Sequence, residues 1–391
     1  MAETYAQQIC AKSRNRKTSV KIELLDNNDI KVDELTGDII SGNICIKNGI
    51  GSSFSRRSGS IELRLTKALS INYYKIDLLH KVRISIIVKD NIRKVSAEYN
   101  MGQFLMNSPS ILKSTTDAKI TISLLDLMAN FDGTFGKSVD PVLTAKITSG
   151  TPIINSITQI ATDITLMGLP NNKIKVESTN LVTIENIEVS PESNITDFLS
   201  DVMEDCLNYD LYFDENGYLI FESIKQRDND VVYQEFNNSN VVVSYEINED
   251  FGNVRNVIHM LGAQIESSEE ATVPIQTTGI ARLDDANNPL STVNIGEKPI
   301  TLTNDKLQTE LQCNNEAQYE LEQRSYYKEK IVIVILPDFR LSPNRKIKLD
   351  YISEDESLEI HGSFLIDQID IDLKNGGLMN LNCHKLYPSV V

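Results

Sequence analysis

The opening third of the chain alternates polar and apolar residues with a period of two. Ser19-Val20-Lys21-Ile22-Glu23-Leu24 and Ser60-Ile61-Glu62-Leu63-Arg64-Leu65 are the clearest cases. Such alternation predicts half-buried strands. Residues 38–47 alternate more loosely, 80–88 and 93–99 flank a polar turn at Lys89-Asp90-Asn91, 103–106 is a short strand, and 118–125 closes the series. Many short strands separated by polar turns predict a small barrel or sandwich over residues 1–135.

A different period follows. Thr151 and Pro152 predict a helix start, with Thr as the cap and Pro in the first turn. Ile154, Ile157, Ile160, Ala161 and Ile164 then recur at helical spacing until Gly168 and Pro170. A second helix is predicted over 193–208, with Ile195, Phe198, Leu199, Val202, Met203, Cys206 and Leu207 as its apolar stripe. Tyr209-Asp210-Leu211-Tyr212-Phe213 and Tyr218-Leu219-Ile220-Phe221 flank Asp214-Glu215-Asn216-Gly217, which predicts a β-hairpin. Residues 136–225 thus read as an α+β module. Strands return at 240–247 and 254–261, a polar stretch with a terminal helix (315–328) fills 264–328, and strands resume at 330–336, 346–351, 362–373 and 377–386. The predicted fold class is mainly β with α+β insertions. Its second β domain combines 226–263 with 329–391, and 264–328 is a polar insertion. No short-period repeat is visible.

Composition narrows the function. The chain has 391 residues, 41% hydrophobic and 24% charged, as a globular protein of two or three domains does. Its net charge is −17, which argues against a general nucleic-acid binder, because such binders use Lys and Arg to displace counterions from phosphates. The longest aliphatic run is the six residues from Ile331 to Leu336, against roughly 20 for a membrane-spanning helix. No membrane insertion is expected, and the first residues carry no secretory pattern. The five cysteines, Cys10, Cys45, Cys206, Cys313 and Cys383, are scattered with no CxxC pair, so reduced thiols are expected. His80, His259, His361 and His384 lack metal-ligand spacing.

Charge is segregated: residues 177–256 hold 18 acids and 3 bases. This is either a solvated acidic face or a surface that repels an anion or meets a cation. Asp197, Asp201, Glu204 and Asp205 include like charges four apart on the second helix, which need a partner. Asp214–Gly217 resembles part of a calcium loop, but an EF-hand would need acids where Tyr212 and Ser223 stand. Asp370 and Asp372 share a strand face with room for a weak cation site, or form a solvent face opposite Ile369 and Ile371. No nucleophile elbow, P-loop, dinucleotide fingerprint or zinc-protease motif is present, so no catalytic, cofactor or metal residue is nominated.

The order of segments resembles the baseplate hub proteins of tailed phages and phage-derived contractile particles. Four passages carry the likeness: Ser55-Arg56-Arg57-Ser58-Gly59-Ser60-Ile61-Glu62-Leu63; Met101-Gly102-Gln103-Phe104-Leu105-Met106-Asn107-Ser108-Pro109-Ser110, leading into the apolar strand 121–132; the helix and hairpin 195–221; and the closing segments with Ala317, Tyr319, Glu320, Leu321, Leu336-Pro337 and Ser342-Pro343-Asn344. The resemblance implies a non-enzymatic homotrimer in which each chain supplies two similar β-barrels. Three chains then form a pseudo-sixfold ring that adapts a sixfold tail tube, or distal tail protein, to a threefold spike, tip or tape-measure protein. DNA would pass without specific binding. It also implies assembly in the host cytoplasm and a place in the virion tail or baseplate. No lysin or peptidase segment accompanies the resemblance, so cell-wall cleavage is not expected. Two other classes remain at this level: a β-rich adhesin binding receptor or glycan, disfavoured by the absence of Trp, and a two-carboxylate cell-wall hydrolase, for which no motif nominates the pair.

Overall fold

The computed structural model describes residues 4–386 apart from 14, 27, 36–38, 49–53, 65–80, 115–117, 136–137, 140–145, 189–191, 205, 207–208, 224–230, 238–241, 249–251, 266–274, 326–329, 353–358 and 375. The described residues are mostly strand. The opening set is β1 (Arg16–Leu25), β2 (Lys31–Leu35), β3 (Ile39–Lys47), β4 (Arg57–Arg64), β5 (Lys81–Asp90), β6 (Val95–Lys113) and β7 (Ala118–Leu125). It is preceded by a helix α1 (Tyr5–Lys12), which the period analysis missed. Thr4 and Gln7 form its capping box, and that Thr-x-x-Gln spacing was the available signal.

The α+β module contains β8 (Lys146–Ile147), α2 (Ile153–Thr162), β9 (Ile174–Val176), β10 (Ile187–Glu188), α3 (Ile195–Met203) and the hairpin β11 (Tyr209–Phe213) and β12 (Leu219–Ser223). Pro152 takes the cap position of α2 without a side-chain bond, while Thr151 Oγ1 donates to the carbonyl of Thr148. The expected Thr cap is therefore displaced into the preceding turn.

The rest comprises β13 (Gln234–Asn237), β14 (Val242–Asn248), β15 (Val257–Ile265), β16 (Ile275–Arg282), a one-turn helix α4 (Thr292–Ile295), β17 (Pro299–Thr303), α5 (Glu310–Arg324), β18 (Lys330–Ile335), β19 (Lys346–Ile352), β20 (Glu359–Asp372) and β21 (Met379–Leu386). Here the sequence expectation needs correction. Most of β15 falls in the range expected for the second β domain, 226–263, but it pairs antiparallel with β16 and parallel with β17 in a separate three-stranded sheet. Ile258 and Met260 pack with Cys313, Ala317 and Leu321 of α5 in a core of their own. An isolated apolar strand shows that it is buried, not which sheet buries it.

Opening and closing sets form one 13-stranded sheet, along the order β14-β18-β21-β20-β3-β4-β7-β6-β5-β1-β2, with β19 and β13 branching from β20. The expected closed barrels are not found among the described residues, because the path ends at β14 and β2 and the two sets are fused where β20 pairs with β3. Their interiors form one continuous core containing Phe104, Ile122, Phe364 and Leu381, and the Tyr99 and Phe339 rings meet across it at 5.6 Å.

Within this fused sheet the two sets share one order. Strands β5-β6-β7-β4-β3 and β19-β20-β21-β18-β14 have the same sequence order, the same neighbours and antiparallel pairing throughout. β1 and β13 flank them in equivalent places but differ in direction, antiparallel to β5 and parallel to β19. One register irregularity also coincides: Ile39/Ser41 in β3 matches Val242/Ser244 in β14, whereas the shift at Ile84/Ser85 between β5 and β6 has no counterpart between β19 and β20. Gly102-Gln103-Phe104-Leu105-Met106 in β6 answers Gly362-Ser363-Phe364-Leu365-Ile366 in β20. Both glycines have positive φ, +134° and +148°, a region that L side chains rarely enter, and both phenylalanines are fully buried.

One titration is built into the insertion. Glu316 on α5 is pushed up to about 7, by burial first and by the neighbouring Glu320 carboxylate second. Both folded and unfolded states hold the proton at pH 4. The penalty builds as pH rises through the unfolded value and is complete above about 7. Glu316→Gln is therefore expected to raise stability at pH 8 by about 1 kcal/mol, discounted for partial exposure, and to change little at pH 4. Thermal unfolding at the two pH values checks this, and equal effects at both would contradict it.

Candidate functional site

Two features stand out: the outer face of the sheet where the sets fuse, and the seam that fixes the α+β module to it. Along β3, β4, β7 and β20, alternate residues enter the core: Ile44, Ile46, Ile61, Leu63, Ile120, Ile122, Ile369 and Ile371. The intervening residues therefore form the opposite face, and that face is polar. Ser41 Oγ donates to Glu62 Oε2 at 2.7 Å, Lys119 Nζ lies 3.2 Å from Glu62 Oε1, and Ser60 Oγ donates to Asn43 Oδ1 at 2.7 Å. Across the fusion, Asp370 accepts from Gln368 at 2.7 Å and from Asn382 at 3.5 Å. Asp372 is paired with Lys374 at 2.8 Å.

Electrostatically this face is quiet. Its carboxylates are held by Lys, Gln or Asn, and Ser, Thr and Asn fill much of the rest. Hydrogen bonding from Ser41, then from Lys119, holds the Glu62 carboxyl below its ordinary range. Cys45 is pushed up to about 12, by burial first and then by Asp370, so it stays a thiol. Asp370 and Asp372 are thus parts of a hydrogen-bonded polar face opposite Ile369 and Ile371. Among the described residues, no group of three His, Cys, Asp or Glu is arranged to hold a metal ion. A bulge between Ile366 and Gln368 turns Asp367 to His384 at 2.7 Å and to the Asn48 amide at 2.7 Å. His361 lies between Asp350 and Glu359, His259 is on β15, and His80 lies outside the described residues.

The seam begins at β4. Arg56 is buried and forms an ion pair with buried Asp210 of β11, its guanidinium 3.5 Å from the Tyr212 ring centre. Desolvation lowers Arg56 to about 10, which leaves it cationic at neutral pH. Arg57 Nη1 donates to the Phe213 carbonyl at 2.6 Å. The backbone amides of Arg56, Arg57 and Met128 converge on buried Asp126, whose acidity burial nonetheless weakens.

The hairpin turn then lies on β6. Asn100 Nδ2 donates to the Glu215 carbonyl and to Asn216 Oδ1, both at 3.0 Å, and Gln103 Nε2 donates to the Asn216 carbonyl at 3.1 Å. Asp214 Oδ1 accepts from the amides of Asn216 and Tyr218, so the calcium-like phrase is a self-closed docking turn. A Cβ on Gly102 would stand 2.8 Å from Arg57 Cδ, so the glycine gives this arginine stem its path. Three of the four passages that carried the resemblance meet at this seam.

The acidic stretch contributes Asp210 and Asp214 to this seam and otherwise lies away from the polar face. Its carboxylates sit mainly on the module: Glu185 and Glu204 reach Lys306 at 3.4 and 2.5 Å, Asp214 reaches Lys175 at 3.6 Å, and Asp197 Oδ2 accepts the Asn194 amide. The like charges on α3 are therefore answered in part by Lys306, while Asp205 lies outside the described residues. None of the polar-face residues above falls within 177–256.

No family model matches the chain, and no curated protein matches it by sequence. Solved structures do. The tail protein from Neisseria meningitidis MC58 superposes with a TM-score of 0.61 at 11% identity, over 94% of this chain and 97% of that one. The 43 kDa tail protein of prophage MuSo2 from Shewanella oneidensis gives 0.58 at 14%, over 94% and 98%. Prophage tail protein gp18 from Listeria monocytogenes EGD-e gives 0.53 at 13%, over 95% and 96%. These likenesses run nearly end to end, and the chain has the fold of these tail proteins.

Proposed function

We propose that this chain is a structural, non-enzymatic component of a phage tail: the hub of a tail tip or baseplate. Three copies surround a conduit and join a sixfold tube, or distal tail protein, above to a threefold spike, tip or tape-measure protein below. The observation that carries this reading is the duplicated strand order within one fused sheet. A chain holding two equivalent β units, 1–135 and the closing strands of 226–391, presents six units when three copies close. The module 136–225 and the insertion around 264–328 are then carried on the rim. The polar fusion face suits a conduit wall: phosphates meet neutral hydroxyls and amides and already-paired charges, and few free cations trap them.

Assembly in the host cytoplasm and residence in the virion tail follow from this reading. Its test is mass in solution. Sedimentation of the purified chain is expected to give a species of three times 43.9 kDa, with an interface on the order of 2,000 Å² or more, as obligate assemblies have. A monomer that persists at high concentration, and also in the presence of tube subunits, would overturn the proposal.

A further inference from the structure

A cavity of about 680 Å³ lies between the module and the closing β unit, and the tail role proposed above makes no use of it. Small-ligand sites are of this size, roughly 300–1,000 Å³. Arg56, Asp210 of β11 and Glu222 of β12 line one part of it, and Ser342, Asn344 and Arg345, in the turn that enters β19, line another. Arg56 and Asp210 are buried and answer each other's charge. Arg345 and Glu222 are not spent in this way. Arg345 Nε donates to Ser342 Oγ at 3.3 Å and its guanidinium lies 5.2 Å from the Tyr233 ring centre, but its two terminal nitrogens have no partner among the described residues. Glu222 Oε1 accepts from the Tyr212 hydroxyl at 2.9 Å, and Oε2 has no such partner among them.

The turn that carries Arg345 is tied down on both sides. The Asn344 amide donates to the Ile366 carbonyl at 2.9 Å, the Ile366 amide to the Arg345 carbonyl at 3.1 Å, and the Tyr233 amide to the Lys346 carbonyl at 2.9 Å. Asn344 takes a φ of +62° there, a region that residues other than glycine enter at a cost. An arginine held by its Nε and by an aromatic ring presents a planar fork of two donors, which is the complement of a carboxylate. A carboxylate oxygen held open beside a tyrosine is the complement of an ammonium group. Two further lining residues have a hydrogen bond to gain: Asn344 Oδ1, an acceptor, and Arg56 Nε, a donor, are buried with no hydrogen-bond partner among the described residues. A buried group left in that state costs about 1–3 kcal/mol.

We propose that this cavity binds a short peptide that carries both charges, with its carboxylate on Arg345 and its ammonium on Glu222. A peptide group also offers one acceptor and one donor, the pair that Arg56 Nε and Asn344 Oδ1 lack. A simple anion would satisfy Arg345 but would share the cavity with the open Glu222 carboxylate, and a neutral sugar would leave both charges unanswered. A free peptide supplies the two charges from its termini. An extended segment of a longer chain supplies them from an acidic and a basic side chain, and the recognising chemistry is the same. The proposal does not depend on how many copies assemble, because every residue it uses lies in one chain.

The test uses the full chain and two probes, followed by ligand-observed NMR. Triglycine has both termini charged. Acetyl-Glu-Gly-Lys-amide has both ends blocked and carries its charges on side chains. At least one is expected to bind, and which one does so separates a free peptide from a chain segment. Removing either charge from the probe that binds, by blocking a terminus or by replacing its Glu or Lys with Gln, should weaken binding at least tenfold. Glu222→Gln keeps an acceptor for the Tyr212 hydroxyl and should erase the preference for the probe's ammonium. Arg345→Lys keeps the charge but not the fork and should weaken binding at least tenfold. Thermal unfolding of both variants is expected to match the wild type. If a variant fails to fold, the charge-deleted probes on the wild-type chain still decide. Inorganic phosphate that binds as tightly as the peptide, with no effect of Glu222→Gln, would make this a plain anion site and overturn the proposal. Failure of both peptides to bind at millimolar concentration would overturn it as well.

Discussion

Asp210→Ala is expected to destabilise the chain by about 3–5 kcal/mol, and to loosen the α+β module before the main sheet. The substitution leaves the Arg56 guanidinium buried without its carboxylate, and an uncompensated buried charge costs that much. Arg56 also holds the Tyr212 ring and adjoins the amides that converge on Asp126, so its displacement frees both sides of the seam. Hydrogen exchange should rise first in β11 and β12 and in the β6 residues under the hairpin turn, with β20 and β21 protected. The paired replacement Arg56→Met with Asp210→Leu removes both charges and should cost far less, because an apolar pair of similar volume often substitutes for a buried ion pair without loss. Equal losses in single and double variants would show that packing, and not the charge pair, holds the seam.

Phe104→Ala and Phe364→Ala should each cost about 3–5 kcal/mol, the range for emptying a fully buried aromatic site. Both side chains are wholly buried, each two residues beyond a positive-φ glycine, and both belong to the one core that spans the fused sheet. Because that core is shared, either variant is expected to unfold in a single transition affecting both β units. Chemical denaturation followed by exchange in β5 and in β19 separately checks this. A Phe364→Ala variant in which β19 opens while β5 remains protected would mean that the two units are energetically independent.

The physical basis of these expectations was unevenly visible in the sequence. Period-two alternation located β1 and β4, apolar segments between polar turns located β5, β7, β18 and β19, and the helix-to-hairpin passage located α3, β11 and β12, because those signals are local. The long strand β6 read as two pieces. Gly102 and a register shift opposite Ile84 and Ser85 interrupt the alternation without ending the strand. Helix α5 begins at Glu310, several residues before its apolar spacing becomes clear, under a Thr309–Gln312 capping box. Pairing between distant segments leaves no periodic trace. Nothing local distinguishes β15, which belongs to the insertion, from β14, which belongs to the main sheet.

The internal duplication, implied by the resemblance, leaves little local trace for the same reason. It survives in the sequence as five residues, Gly-x-Phe-Leu followed by Met or Ile, at positions 102–106 and 362–366. Strand order, one bulge position and glycine conformation preserve it much more fully. By its charge the acidic stretch is a candidate for a surface that repels an anion, as a conduit wall must. The face that suits that role lies instead on strands whose alternate residues are Ser, Thr and Asn, a pattern that formal charge does not register. The seam was legible only as a resemblance. Its logic, in which Arg56, Arg57 and Gln103 receive the hairpin and Asp126 holds the two arginine amides, requires residues up to 156 positions apart to meet.

The central claim is that two equivalent β units per chain let three chains enclose an opening as six. Averaged electron micrographs of the purified assembly, viewed down its axis, test this most directly. The account predicts six similar densities around a central hole, with only every second one carrying the module's extra mass on the rim. A compact particle without a hole, or a ring whose number of β units is not twice the number of chains, would contradict it.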